Sequence, residues 1–218
     1  MNNIKEKYTV IILGGKFSSR ISYKILQDYN YTKFIVYDEK LKKKFYDEKY
    51  SFINTKTVLL NSIKKTKNKV FFVFATSSMI AKKNWIKDFD IKNKNIINVI
   101  SKDYVINNAK KIGKGNLIWS KVTLDYDCQI GNFNFINNSS LLLHNVVMGN
   151  HNFIGPNTTI LGNVKIGNNC YIGSNSVIDS DITIEDNCII GANAFINKSV
   201  LKEQKVFGTP GKVIGKKL

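Results

Sequence analysis

Two histidines are too few to hold a catalytic zinc through three imidazoles, and this chain of 218 residues has no more. Its three cysteines cannot build a disulfide framework, which points to free thiols in a reducing compartment. No run of eighteen apolar residues occurs, and the first seven residues, Met1 to Lys7, contain no apolar signal core. Neither a membrane span nor export is expected, and the cytoplasm is the expected compartment. Proline occurs only at Pro156 and Pro210, and Arg20 is the sole arginine.

Acid is scarce as well: 16 Asp and Glu stand against 33 Lys and Arg, a net charge of +17. Residues 1–99 carry 21 cations against 8 acids, residues 100–201 carry 7 against 7, and residues 202–218 carry 5 against 1. The excess is lysine, with no helix-turn-helix, zinc-ligand or aromatic RNA-binding pattern beside it. Nucleic acid is therefore not the expected partner. Attraction of anionic cosubstrates accounts for the charge better.

What the chain does have is a ladder. From Ile100 to Ile196 an aliphatic residue falls at every sixth position, seventeen times in succession. Neither a helix period of 3.6 nor a strand period of two selects every sixth residue; a solenoid that turns a corner every six residues does. Positions two before the ladder are mostly small, among them Cys128, Ser140, Thr158, Cys170, Ser176 and Cys188, as a narrow prism requires. Glycine often follows the ladder residue, as at Gly131, Gly149 and Gly167, which suits corners with unusual backbone angles. Three sides of six close a coil of eighteen, and about five coils stack.

Before the ladder the pattern is α/β. Tyr8 to Leu13 reads as a buried strand ending on Gly14 and Gly15, Ser18 to Tyr29 as a helix with Ile21, Ile25 and Leu26 on one face, and Lys33 to Tyr37 as a second strand closing on Asp38. That is a βαβ unit with an acid at the end of its second strand. Residues 39–49 read as a solvated Lys-rich connection and Val58 to Lys65 as a helix. Val70 to Ala75 reads as a strand, with Thr76, Ser77 and Ser78 capping a helix from Met79 to Phe89. The expected domains are 1–97, 98–201 and a basic C-terminal tail, 202–218.

Both histidines, His144 and His151, lie off the inward ladder, near corners. Imidazole is the usual general base at neutral pH. Eighteen residues beyond His144 stands Gly162, so a backbone without a side chain lies one coil above the imidazole, where a substrate could approach and an N–H could meet an oxyanion.

Several stretches carry a resemblance: Asn137 to Gly149 with His144, Ile154-Gly-Pro156, Leu161-Gly-Asn-Val-Lys-Ile-Gly167 and Val206 to Ile214. They resemble the hexapeptide-repeat sugar acyltransferases that join a Rossmann-like α/β domain to an all-β left-handed parallel β-helix. That family includes N-acetyltransferases of nucleotide-linked amino sugars and sialic acid O-acetyltransferases. The resemblance implies the handedness, a homotrimer with sites between prisms, and acetyl-CoA as cosubstrate with no metal. It carries the catalytic histidine onto His144 and the backbone donor to the thioester onto Gly162. Ser174 and Ala192 match positions lining the family's CoA channel. The family's acid after the histidine is Asn145 here, and a second histidine associated with acetyl-CoA corresponds to Phe153.

The implied activity is an acetyl-CoA-dependent N-acetyltransferase on a nucleotide-linked amino sugar, in cell-surface glycan synthesis. A sialic acid O-acetyltransferase and a non-catalytic trimer are the alternatives. Gly14, Gly15, Lys16, Ser18, Asp38 and Thr76 are the candidates for the sugar nucleotide, with amides from Gly14 to Ser19 facing phosphate and Asp38 facing a ribose or base. Lys212, with Lys216 or Lys217, is the candidate for the CoA phosphates.

Overall fold

The computed structural model describes residues 8–29, 31, 33–40, 50–107 and 109–216. The chain divides into two compact units, Met1–Val99 and Ile100–Leu218.

The N-terminal unit carries a parallel four-stranded sheet. Its elements are β1 (Tyr8–Leu13), α1 (Lys16–Gln27), β2 (Lys33–Tyr37), β3 (Ser51–Ile53), α2 (Lys56–Lys65), β4 (Lys69–Phe74) and α3 (Met79–Asp88). The strand order is β3-β2-β1-β4, so the chain reverses direction across the sheet between β1 and β4. Val10 to Leu13 are fully buried, as a central strand covered on both faces requires. Helix α1 starts two residues before the expected Ser18, and its buried face is Ser19, Ser22, Tyr23 and Leu26, with Ile21 and Ile25 only half-buried. The 19-22-23-26 spacing is a proper helical stripe, and its two serines let the helix approach the sheet closely. Ser78 caps α3 as expected, its hydroxyl accepting from the Ala81 N–H at 3.3 Å. Strand β3 is a three-residue edge strand too short to show a pattern of its own. Much of the Lys-rich connection, residues 41–49, lies outside the described residues.

The second unit is a left-handed parallel β-helix. Two-residue strands from Val105–Ile106 to Phe195–Ile196 line three faces, each residue pairing with the one eighteen further on: Ile130 with Met148, Ile136 with Ile154, Leu142 with Ile160. The ladder residues from Ile118 to Ile196 and the small residues two before them, from Val122 to Ala194, are buried together in one column. The three cysteines are buried and free. A hydrogen bond shared with Cys188, together with burial, pushes the Cys170 thiol far up.

The corners differ from the expectation in one respect. Positive φ falls three residues after the ladder, at Asp127, Asn145, Asn157, Asn163, Asn175, Asp181 and their equivalents, and not on the glycine that follows it. Asn and Asp tolerate the left-handed region, which explains their recurrence there. The glycines answer a different demand: a Cβ at Gly131 would stand 2.4 Å from the Gly149 carbonyl oxygen of the next coil. The C-terminal residues also form more than a tail. The last coil shortens to sixteen residues, pairing Ile190 with Val206, and Gln204–Phe207 then pairs antiparallel with Lys212–Lys216.

Candidate functional site

Tyr126, His144, Gly162 and Ser180 occupy one corner of the prism in successive coils. Backbone hydrogen bonds fix their stacking: Asn145 N–H to Tyr126 O at 2.9 Å, Asn163 N–H to His144 O at 3.0 Å, and Asp181 N–H to Gly162 O at 3.1 Å. His144 is exposed, and its ring lies directly against Gly162. A Cβ at Gly162 would stand 2.4 Å from Cε1 and 2.6 Å from Nε2, so glycine is needed there for space. The Gly162 N–H has no hydrogen-bond partner among the described residues. The corner therefore offers an imidazole and an uncommitted backbone donor side by side, a pair suited to moving a proton and holding an oxyanion.

Asn145 sits at the corner's left-handed position, with φ 60. Its Nδ2 is 3.3 Å from Nδ1 of His144 and donates to Oδ1 of Asn163 at 3.0 Å. Asn163 in turn donates through Nδ2 to Oδ1 of Asp181 at 3.0 Å. Sequence reasoning missed Asn163 and Asp181, although stepping eighteen residues from Asn145 names both.

His151 is built into another corner. It has φ 60, and its ring stacks on Phe133 at 5.1 Å and 7°. Phe153 belongs to an aromatic column on the face between corners, 5.4 Å from Phe135 and 4.9 Å from Tyr171. Ser174 and Ala192 stack on a third corner above Pro156, where Gly155 and Gly173 pass so close that a Cβ would meet the Ser174 and Ala192 nitrogens at 2.5 and 2.4 Å. One prism thus brings Gly162 to His144 but keeps Ser174 and Ala192 on a different edge. Lys212 and Lys216 are exposed on the terminal strand, and Lys217 lies outside the described residues.

In the N-terminal unit the candidates gather at the carboxyl ends of β1, β2 and β4. Gly14 and Gly15 have φ 76 and 80, and a Cβ on them would strike the Trp85 ring at 2.4 Å and the Ala75 carbonyl oxygen at 2.0 Å. The expectation that this turn's amides all face a phosphate needs correction. Gly14 N–H donates to Tyr37 O at 2.7 Å and Gly15 N–H to Oδ2 of Asp38 at 3.1 Å, while Oδ1 of Asp38 accepts from Lys40 N–H at 2.9 Å. Asp38 ties the glycine turn to β2, and the amides left for an anion are those opening α1 near Ser18. The Lys16 side chain lies outside the described residues. Thr76, beside this turn, accepts from Ser78 N–H at 3.1 Å. Among the described residues no three His, Cys, Asp or Glu side chains are placed to share a metal, and no helix is long and apolar enough to cross a membrane.

The bacterial transferase hexapeptide model, of six repeats, matches residues 127–162, 145–180 and 163–198. Comparison with curated protein sequences finds no match. Among solved structures, a perosamine N-acetyltransferase from Caulobacter crescentus, a histidine-to-asparagine mutant in complex with CoA and GDP-perosamine, superposes with a TM-score of 0.80 at 18% identity, covering 95% of this chain and 97% of that one. The acetyltransferase domain of PglB from Neisseria gonorrhoeae, in complex with acetyl coenzyme A, gives 0.82 at 17%, covering 95% and 100%. WeeI from Acinetobacter baumannii gives 0.82 at 20%, covering 95% and 100%. Residues 127–198 of the solenoid carry the bacterial transferase hexapeptide pattern, and the chain as a whole is similar to these solved structures in fold, an α/β unit followed by a left-handed β-helix.

Proposed function

We propose that this protein is an acetyl-CoA-dependent N-acetyltransferase acting on a nucleotide-linked amino sugar. The observation that carries the reading is the imidazole of His144 lying on Gly162, whose N–H has no partner among the described residues. The CoA and GDP-perosamine named with the similar structures support the choice of cosubstrates.

In the proposed reaction the neutral amine nitrogen attacks the thioester carbonyl carbon. The C–N bond forms as the carbonyl π pair moves onto oxygen, where the Gly162 N–H stabilises it. His144 takes the proton that the nitrogen sheds. Collapse then breaks the C–S bond, and the departing thiolate recovers that proton from the imidazolium. The N-terminal unit holds the nucleotide at the carboxyl ends of β1 and β4, with phosphate near the first turn of α1. Ser174 and Ala192 line the CoA path, and because one prism keeps them on another edge than His144, the complete site draws on two chains of a trimer.

The test is a panel of GDP-, UDP-, dTDP- and CMP-linked sugars, with and without a free amine, mixed with acetyl-CoA. Thiol release with a mass gain of one acetyl group on an amino sugar supports the reading. Acetylation confined to sugars lacking an amine would make the protein an O-acetyltransferase. Absence of turnover across the panel, with ligands still bound, would favour a non-catalytic role.

A further inference from the structure

We propose that Asp181, two coils away from His144, is a positioning residue that fixes the neutral imidazole with its proton on Nε2, acting through Asn163 and Asn145. The tautomer follows from the hydrogen-bond network alone; only its catalytic meaning rests on the function proposed above.

An ionised carboxylate accepts hydrogen bonds and gives none, so the Asn163 atom 3.0 Å from Oδ1 of Asp181 is the amide nitrogen. Its oxygen therefore faces the other way, 3.0 Å from the Asn145 side chain. An oxygen there needs a donor, which orients Asn145 with Nδ2 toward Asn163. The same Nδ2 is 3.3 Å from Nδ1 of His144. An amide nitrogen has no lone pair to offer, so Nδ1 must be the acceptor, and the proton of the neutral ring belongs to Nε2.

A second ladder in the same solenoid obeys the same polarity. Asn132 donates to Asn150 at 3.0 Å, Asn150 to Asn168 at 3.0 Å and Asn168 to Asp186 at 3.1 Å, again running toward a terminal carboxylate. In that row the acceptor oxygens also take backbone N–H groups, Asn132 N–H to Asn150 at 2.7 Å and Asn150 N–H to Asn168 at 2.8 Å, which fix those amides as well. The row from Asn145 to Asp181 has no such backbone donor among the described residues, so its orientation falls to the terminal carboxylate.

This is the opposite of what an acid following the histidine would do. A carboxylate in place of Asn145 would accept from Nδ1–H and leave the Nε2 lone pair open. Here the nitrogen against Gly162 carries the proton and stands as a second donor beside the Gly162 N–H. The lone pair that receives the amine's proton is on Nδ1, and Asn145 must turn aside to release it.

The test reads the tautomer directly, from imidazole 15N chemical shifts of the intact protein at a pH where the ring is neutral. With only two histidines, His151→Gln assigns the signals. The unmutated protein should show His144 with its proton on Nε2; the Nδ1–H form would overturn the proposal. Asp181→Lys replaces the terminal acceptor by a donor at a corner position whose left-handed geometry Lys121 already adopts, with φ 57. It should reverse both amides and move the proton to Nδ1. Kcat for acetyl transfer should then rise several-fold, with both KM values within twofold. If the lysine variant does not fold, Asp181→Leu should yield a mixture of tautomers. A tautomer unchanged in the folded variant would remove Asp181 from the relay. The Nε2–H form found in a protein that acetylates no sugar would leave the relay standing and defeat the function proposed for it.

Discussion

His144 lies so close to Gly162 that a single methyl group on the glycine would stand 2.4 Å from Cε1 of the ring. Nothing in the glycine's backbone angles demands glycine; the imidazole does. Gly162→Ala should therefore fold normally and push the ring off its position. Displacing an acid–base group by about an ångström costs on the order of 100-fold in rate, so kcat should fall by about that factor while the sugar nucleotide KM stays within a few-fold. Steady-state kinetics beside a circular dichroism melt check both halves.

The two histidines should behave differently when removed. A positioned acid–base group contributes roughly 100- to 10,000-fold, and His144→Ala should lower kcat by that range with sugar-nucleotide binding retained. His151→Ala should leave turnover within a few-fold and act on stability instead, because it loses the stack on Phe133, a contact worth about 0.5–1.5 kcal/mol. Asn145→Asp should hold or improve kcat, since a carboxylate accepts from Nδ1–H and stabilises the imidazolium. Full activity in His144→Ala would move the base onto the N-terminal unit or onto the substrate's own amine.

Much of the solenoid could be read from the spacing of aliphatic residues, because a buried ladder tolerates no slip: Ile130, Ile154 and Ile190 each meet their own kind one coil away. The N-terminal unit was less legible. The edge strand β3 has three residues and no periodicity to announce it, and Asp38 looked like a ligand residue because sequence cannot show that its carboxylate already accepts the Gly15 N–H. The corner glycines looked like turn-formers because the close approach of the next coil is a tertiary fact. At the site, Gly162 was accessible to counting by eighteen. The ladder beyond Asn145 was accessible to the same count, but Asn at a corner looks like a backbone requirement, and in part it is one.

Buried Lys82 gives the N-terminal unit a pH dependence. The residue is 2% exposed on α3, and burial pushes its ammonium down to about 8. Between that value and the usual range near 10.5 the unfolded chain holds a proton that the folded one has released. Stability should therefore rise as pH climbs through this window and should gain nothing more from Lys82 above it. Urea unfolding followed by Trp85 emission at pH 7.5, 9 and 10 in a Trp119→Phe background reads this unit alone. The Trp119 Nε1 has no partner among the described residues, so phenylalanine forfeits no hydrogen bond there. A flat midpoint across the window would contradict the expectation.

The ladder itself should be intolerant of charge. Ile160 is fully buried between Leu142 and Ile178. Ile160→Asp would set a carboxylate in a column of hydrocarbon with no partner, at a cost of several kcal/mol. Val147→Asp, on an exposed strand position of the same solenoid, is the control and should cost far less in a monomer. Should Val147→Asp instead dissociate the protein in light scattering, that face is part of the proposed trimer contact.

The lysines of the terminal strand test how the proposed cosubstrate, acetyl-CoA, would be held. Deleting residues 212–218 would remove a strand paired with Gln204–Phe207 and confuse folding with binding, so point changes are the cleaner probe. Lys212 and Lys216 are both exposed, and neither is joined to an acid by a salt bridge among the described residues. Their contribution to a polyanionic cosubstrate should be diffuse attraction that fades with salt. Lys212→Glu with Lys216→Glu should raise the acetyl-CoA KM several-fold at low ionic strength, lose most of that effect at about 0.5 M salt, and leave the sugar nucleotide KM unchanged. An equal rise in both KM values would assign these lysines to folding or assembly, because a phosphate contact specific to CoA has no means of reaching the sugar.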